Sequence, residues 1–284
     1  MKRKRVLVLS GGGAKIGFQA GVTSCIDRNF DATVGVSCGA IWAAMIAQGK
    51  QLQGEALILS LSNDNIYTGS FSITNIIKRL ITRKNYILDM SPLRRLLEEN
   101  VRKEDFIIPA YFVYVDAETG EKIVACSDTL DTNGIIDAIM SSSAIPVAMR
   151  GVNDRYYDGG LEEVCPLKEA IDLQPDEIVI INCFNRNEQS IRTKNSLIST
   201  AAWSFTEKMP TVIAKYSINP FLAMNELVKD SPNGQKTITV EGKQKTIKYF
   251  DYQLFEPKQS LGDSFDFSHE QMKKRYLHGV RTAI

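Results

Sequence analysis

Arg5-Val-Leu-Val-Leu9 carries four consecutive apolar residues after its arginine, the pattern of a strand buried on both faces. It ends in three glycines, and Lys15 to Arg28 reads as the helix that follows. Thr33 to Val36 repeats the short apolar run, with a second helix over Gly39 to Gln48. Further strands are predicted at Ala110 to Val115, Glu121 to Cys126, Arg155 to Tyr157 and Glu177 to Cys183, with helices at Asn133 to Ser142 and Pro166 to Asp172. Strands alternating with helices predict a mostly parallel central sheet in a three-layer α/β/α arrangement. Beyond about residue 186 the pattern changes. Ser196 to Leu227 predicts helix interrupted by Pro210 and Pro220, Lys236 to Phe255 a hairpin turning at Glu241-Gly242, and Ser268 to Val280 a terminal helix. No internal repeat or low-complexity linker divides the chain. The expectation is one domain over 1–284, with its core at about 5–185 and a C-terminal helical and hairpin elaboration at about 186–284.

One segment stands apart. Within Ser72 to Asn85, Ile73, Ile76, Ile77, Leu80 and Ile81 fall on one helical face, with Lys78, Arg79, Arg83 and Lys84 on its flanks. Such a helix packs on a sheet or lies in a lipid interface. Packing on the sheet is the first expectation, and a membrane-contacting lid the alternative.

Composition narrows the function. The 284 residues are 44% apolar, and 34 Lys+Arg against 33 Asp+Glu give a formal charge of +1, without the basic excess of a nucleic-acid binder. No run approaches the roughly 18 apolar residues of a membrane span. The basic start Met1 to Arg5 is followed by only four apolar residues, too few for a signal peptide. The five cysteines, Cys25, Cys38, Cys126, Cys165 and Cys183, are scattered and form no C-x-x-C pair, which reads as reduced thiols in a cytoplasmic protein.

Two glycine-framed turns carry the candidate chemistry, each at the carboxyl end of a predicted strand, where α/β sheets bind ligands. Gly35-Val-Ser37-Cys-Gly39 has the G-x-S-x-G form that presents a serine hydroxyl on a sharp strand-to-helix turn. Gly11, Gly12 and Gly13 offer backbone N–H groups to a developing negative charge. Ile16 stands where G-x-G-x-x-G needs glycine and no P-loop pattern is present, so nucleotide binding is set aside. Lys15 either adds positive potential beside the loop or is a solvated helix residue. A serine nucleophile needs a base. The two histidines, His269 and His278, both lie near the C-terminus, and a triad through His269 is one option. The other is Asp158, at the end of a short aromatic strand and followed by Gly159 and Gly160, although Asp-Gly is also an ordinary hairpin turn. Asp131-Thr-Asn133-Gly134 matches part of a calcium loop but lacks the end ligands and reads as a turn before a helix. Neither a metal nor a cofactor is expected.

Together these residues resemble the patatin-like phospholipase family. Leu9 to Val22 resembles its glycine-rich oxyanion motif, Gly35-Val-Ser-Cys-Gly-Ala40 its nucleophile turn and Asp158-Gly-Gly160 its D-G-G motif. Met90-Ser-Pro-Leu-Arg94 and Ser143-Ala-Ile-Pro146 add supporting matches. The resemblance covers roughly residues 5 to 185. It implies a patatin-like, α/β-hydrolase-related fold and a serine–aspartate dyad, with Ser37 the nucleophile, Asp158 the base and Gly11, Gly12 and Gly13 the oxyanion hole. Lys15, Gly35, Gly39, Gly159 and Gly160 would support these motifs. The implied substrate is a fatty-acyl ester, a glycerophospholipid first, met through peripheral membrane contact. The departures are Ile16 with Gly17 one step late, Cys38 where alanine or threonine is more usual, and Glu162-Glu163-Val164-Cys165 before Pro166. A thioesterase or general carboxylesterase of the same fold, and a non-catalytic lipid-binding protein, remain as alternatives.

Overall fold

The structure, a computed structural model, describes residues 3–187, 200–201, 203–240 and 243–284. The predicted turn at Glu241-Gly242, the start of the predicted helix at Ser196 and the first two residues of the basic start lie outside them. In chain order the strands are β1 (Arg5–Leu9), β2 (Ala32–Val36), β3 (Ala110–Asp116), β4 (Lys122–Cys126), β5 (Tyr156–Asp158), β6 (Glu177–Ile181), β7 (Gln235–Val240), β8 (Lys243–Lys248) and β9 (Asp251–Phe255). The helices are α1 (Ile16–Thr23), α2 (Cys38–Ala47), α3 (Gln51–Ser60), α4 (Asn63–Ile66), α5 (Ile73–Ile81), α6 (Ser91–Asn100), α7 (Thr132–Ser142), α8 (Leu167–Asp172), α9 (Met209–Val228) and α10 (His269–Ala283).

The main sheet runs β4-β3-β2-β1-β6-β9. Its β3-β2-β1-β6-β9 pairings are parallel, while β4 and β5 run antiparallel to β3. The unalternating apolar strands follow from two covered faces. Leu7 and Leu9 point into a core shared with α1, α2 and α3, while Val6 and Val8 join Leu167, Ala170, Ile218 and Phe221 of α8 and α9. The architecture is therefore mixed α/β, a mostly parallel sheet flanked by helices. Among the described residues no helix is long and apolar enough to cross a membrane.

Several predicted elements differ, and Pro220 lies inside α9 rather than interrupting it. The first helix stops at Thr23, where the Arg28 guanidinium bonds the Thr23 carbonyl and the Thr23 and Ser24 hydroxyls turn back onto the last turn. The predicted hairpin over Lys236 to Phe255 is split. Strands β7 and β8 pair antiparallel, but β9 leaves them and lies parallel to β6 in the main sheet. The break is fixed at Phe250, whose backbone N–H and C=O both bond the Asn225 side chain, at 2.9 and 2.7 Å. Helix α5 does not pack on the sheet, since none of its residues is buried.

Candidate active site

Ser37 follows β2 directly, with φ 55° and ψ −127°, a conformation that non-glycine residues rarely adopt. The surroundings hold it there. Its N–H donates to the Ser142 hydroxyl at 2.8 Å, and that hydroxyl donates to the Val113 carbonyl at 2.6 Å, which fastens the turn to β3. The Ser143 hydroxyl donates to the Ser37 carbonyl at 3.4 Å. The flanking glycines are required by close approach: a Cβ on Gly35 would overlap the Gly39 carbonyl, and one on Gly39 the Leu9 carbonyl. Cys38 is buried, with its thiol facing the Ser10 carbonyl at 3.9 Å.

Strand register brings Asp158 to Ser37 across 121 residues of sequence (158 − 37). Strand β2 ends with Val36 opposite Val113, and β5 ends with Asp158 opposite Tyr114, the next residue of β3. The two strands point toward each other along the same side of β3, so their ends nearly meet. Asp158 is 6% exposed, its carboxylate accepts from the Gly160 N–H at 2.7 Å, and the Ser37 hydroxyl lies close enough to favour its charged form. Burial pushes its pKa up to about 6, against the lowering effect of the Ser37 hydroxyl and the Gly160 N–H.

The glycine loop is fixed from both sides. The Gly11 N–H donates to the Val164 carbonyl at 2.9 Å, and the Ala14 N–H to the Ser264 carbonyl at 2.8 Å. Gly11 therefore cannot offer its amide to a ligand as expected. The Gly12 and Gly13 N–H groups, at φ 153° and 58°, have no hydrogen-bond partner among the described residues. Lys15 is neither solvated nor a free charge. It is 1% exposed, its ammonium pairs with Glu207 at 2.9 Å and lies 4.0 Å from the centre of the Phe184 ring, and burial lowers its pKa. Arg275 of α10, also buried, donates to the carbonyls of Leu261, Ala14, Asp266 and Asp263, binding the 261–266 loop to the glycine loop. Gly159 lies against the Val113 carbonyl.

Two cavities meet at Ser37, sharing Gly13, Ser37, Ile145 and Ser264. One also holds Asp158, Gly12 and Phe205; the other runs inward between Ile41, Trp42, Met45, Leu57, Ile58 and Leu93, an almost wholly apolar lining. Neither histidine lines them. The His269 ring contacts the Leu59 carbonyl at 2.6 Å, while His278 packs edge-on against Phe18. Asp131 caps α7 by accepting from the Gly134 N–H, and no group of three or more potential metal ligands exists among the described residues. Sequence reasoning missed Ser142, Ser264, Glu207 and Arg275. The serine run before Ala144 was a signal for the first, whereas nothing local marks the others.

The family model described as patatin-like phospholipase matches residues 7–171, more than half of the chain. A search of the curated proteins gives no match. Among solved structures, the crystal structure of VipD from Legionella pneumophila aligns over 100% of this chain at 16% identity with a TM-score of 0.47. The chain spans 66% of that one, just under two thirds.

Proposed function

The chain belongs to the patatin-like phospholipase family, and from that premise we propose that it is a lipid acyl hydrolase of the phospholipase A type, working through Ser37 and Asp158. The observation that carries this reading is the end-to-end approach of β2 and β5 beside β3, which sets a strained serine against a buried carboxylate at a cavity also lined by the glycine loop. Asp158 takes the Ser37 proton as the hydroxyl oxygen attacks an ester carbonyl. The tetrahedral oxyanion is held by the Gly12 and Gly13 N–H groups, the donors left unspent. Asp158 returns the proton to the departing alcohol or lysolipid. It then draws a proton from the water that attacks the acyl-enzyme and passes it to the Ser37 oxygen as the fatty acid leaves, which restores both groups. The apolar cavity behind Ser37 suits a fatty acyl chain, and the absence of histidine from both cavities favours a dyad over a triad through His269. We read the chain as one domain, because β9 completes the main sheet and α10 packs on α1.

The test is release of fatty acid from phosphatidylcholine vesicles, with a long-chain acyl-CoA assayed in parallel. The wild type is expected to release fatty acid, Ser37→Ala to lose on the order of 10⁶ in turnover, Asp158→Asn to lose nearly all activity, and His269→Ala to retain it. Preferential cleavage of the thioester would favour a thioesterase of the same fold. Full activity in Ser37→Ala would overturn the dyad.

A further inference from the structure

Helix α5 has an exposed apolar face that sequence periodicity alone assigns to packing. Ile73, Ile77, Leu80 and Ile81 are between 50% and 76% exposed, although they share one face of a nine-residue helix. Singly exposed aliphatic residues are ordinary, but a contiguous set of this kind marks a contact surface. The helix is held in a definite place: the Ser72 hydroxyl caps it, Asn75 donates to the Ser70 and Ile87 carbonyls, and the Arg79 guanidinium stacks on the buried Tyr86 ring at 4.9 Å.

That place is linked to the rim of the cavity. The chain leaving α5 returns through Ile87 and Leu88, whose N–H groups donate to the Val147 and Ala148 carbonyls. Val147 lines the Ser37–Asp158 cavity, is 68% exposed and holds φ 68°, a strained conformation for a β-branched residue. Leu161, Phe205 and Met209 line the same cavity and are also exposed. The apolar face of α5 is thus tied through the 87–88 segment to an apolar mouth.

We infer that α5 and this rim are the surface by which the protein docks on a lipid bilayer containing anionic lipid. The charges favour that occupant. Lys78 lies on α5, Arg83 and Lys84 follow directly after its C-terminal end, and none of the three forms an ion pair among the described residues. Apolar residues inserted at headgroup depth with basic residues beside them match the layering of an anionic leaflet. A protein seated on the same rim would cover the cavity mouth, whereas a bilayer presents acyl chains to it. The docking inference rests on the lipid acyl hydrolase reading for its purpose, but its test does not depend on turnover.

The experiment is co-sedimentation of the Ser37→Ala protein with phosphatidylcholine vesicles, with and without phosphatidylglycerol. Binding is expected to require phosphatidylglycerol and to weaken with salt. The triple variant Lys78→Gln/Arg83→Gln/Lys84→Gln should lose on the order of a hundredfold in partitioning, each basic residue near the surface contributing about fivefold. Ile77→Asp/Leu80→Asp should abolish binding. With Ser37 restored, both variants should hydrolyse a soluble short-chain ester as the wild type does and keep its melting temperature. Undiminished vesicle binding in both variants, equal binding to neutral vesicles, or a wild-type dimer that Ile77→Asp/Leu80→Asp converts to monomer would each overturn the inference. Vesicle binding with the expected charge dependence, but no hydrolysis of any ester, would sink the hydrolase reading and leave the docking surface standing.

Discussion

At the scale of a residue, Asp158 concentrates the proposed chemistry. Burial raises its pKa from 3.8 to about 6, which places a carboxylate in the range where it can accept a proton from Ser37 and return it. The proposed base acts only when ionised, so kcat/KM should rise with pH and reach half its plateau near 6. A pH–rate profile on a soluble ester measures this, and a profile flat between about 5 and 8 would contradict it. The same shift has a stability consequence of opposite sign. Between about 4 and 6 the folded protein keeps a proton that the unfolded chain has released. The contribution of Asp158 to stability therefore falls as pH rises through that window. Asp158→Asn removes the buried charge and should raise unfolding free energy at pH 8 by up to about 3 kcal/mol, with little gain at pH 4. Denaturant titrations at the two pH values check the sign.

At the scale of elements, the helix farthest along the chain supports the loop nearest its start. Helix α10 supplies Arg275, which gathers the carbonyls of the 261–266 loop and of Ala14. The Ser264 carbonyl in that loop accepts from Ala14, and a Cβ at Gly13 would overlap it. Arg275→Ala should therefore displace the Gly12 and Gly13 amides. The expected loss in kcat is about ten- to hundredfold with KM nearly unchanged, because the two amides, in their proposed role as oxyanion donors, would act on the transition state more than on substrate binding. An equal change in KM alone would assign Arg275 a different role. These long-range ties also explain what sequence could and could not disclose. The β1 run, the Gly35–Gly39 turn and the short β5 strand are local patterns, and they stand close to where periodicity put them. The register that joins Asp158 to Ser37 depends on β3, more than seventy residues from β2. The departure of β9 from the hairpin depends on Asn225, and the burial of Lys15 on Glu207; neither partner is marked by a local pattern. For α5 the periodicity identified the apolar face correctly but carried no information about what covers it.

At the scale of the molecule, the candidate site is assembled from both ends of the chain. The family-matched segment 7–171 brings Ser37, Asp158 and the glycine loop. The later segment brings Phe184, Phe205, Glu207, Ser264 and Arg275, which line the cavities or brace the loop. Ser37, the proposed nucleophile, lines both the almost wholly apolar cavity and the cavity that carries the apolar rim. That arrangement suits a long acyl chain drawn from a bilayer and cut at its ester end. It depends on Ser37 being an activated nucleophile in the native protein. The most direct measurement is treatment of the folded wild type with a fluorophosphonate, followed by peptide mass mapping. The account predicts one covalent adduct, on Ser37, absent after heat denaturation and strongly reduced in Asp158→Asn. An unmodified Ser37, or an adduct on another residue that Ser37→Ala leaves in place, would contradict it.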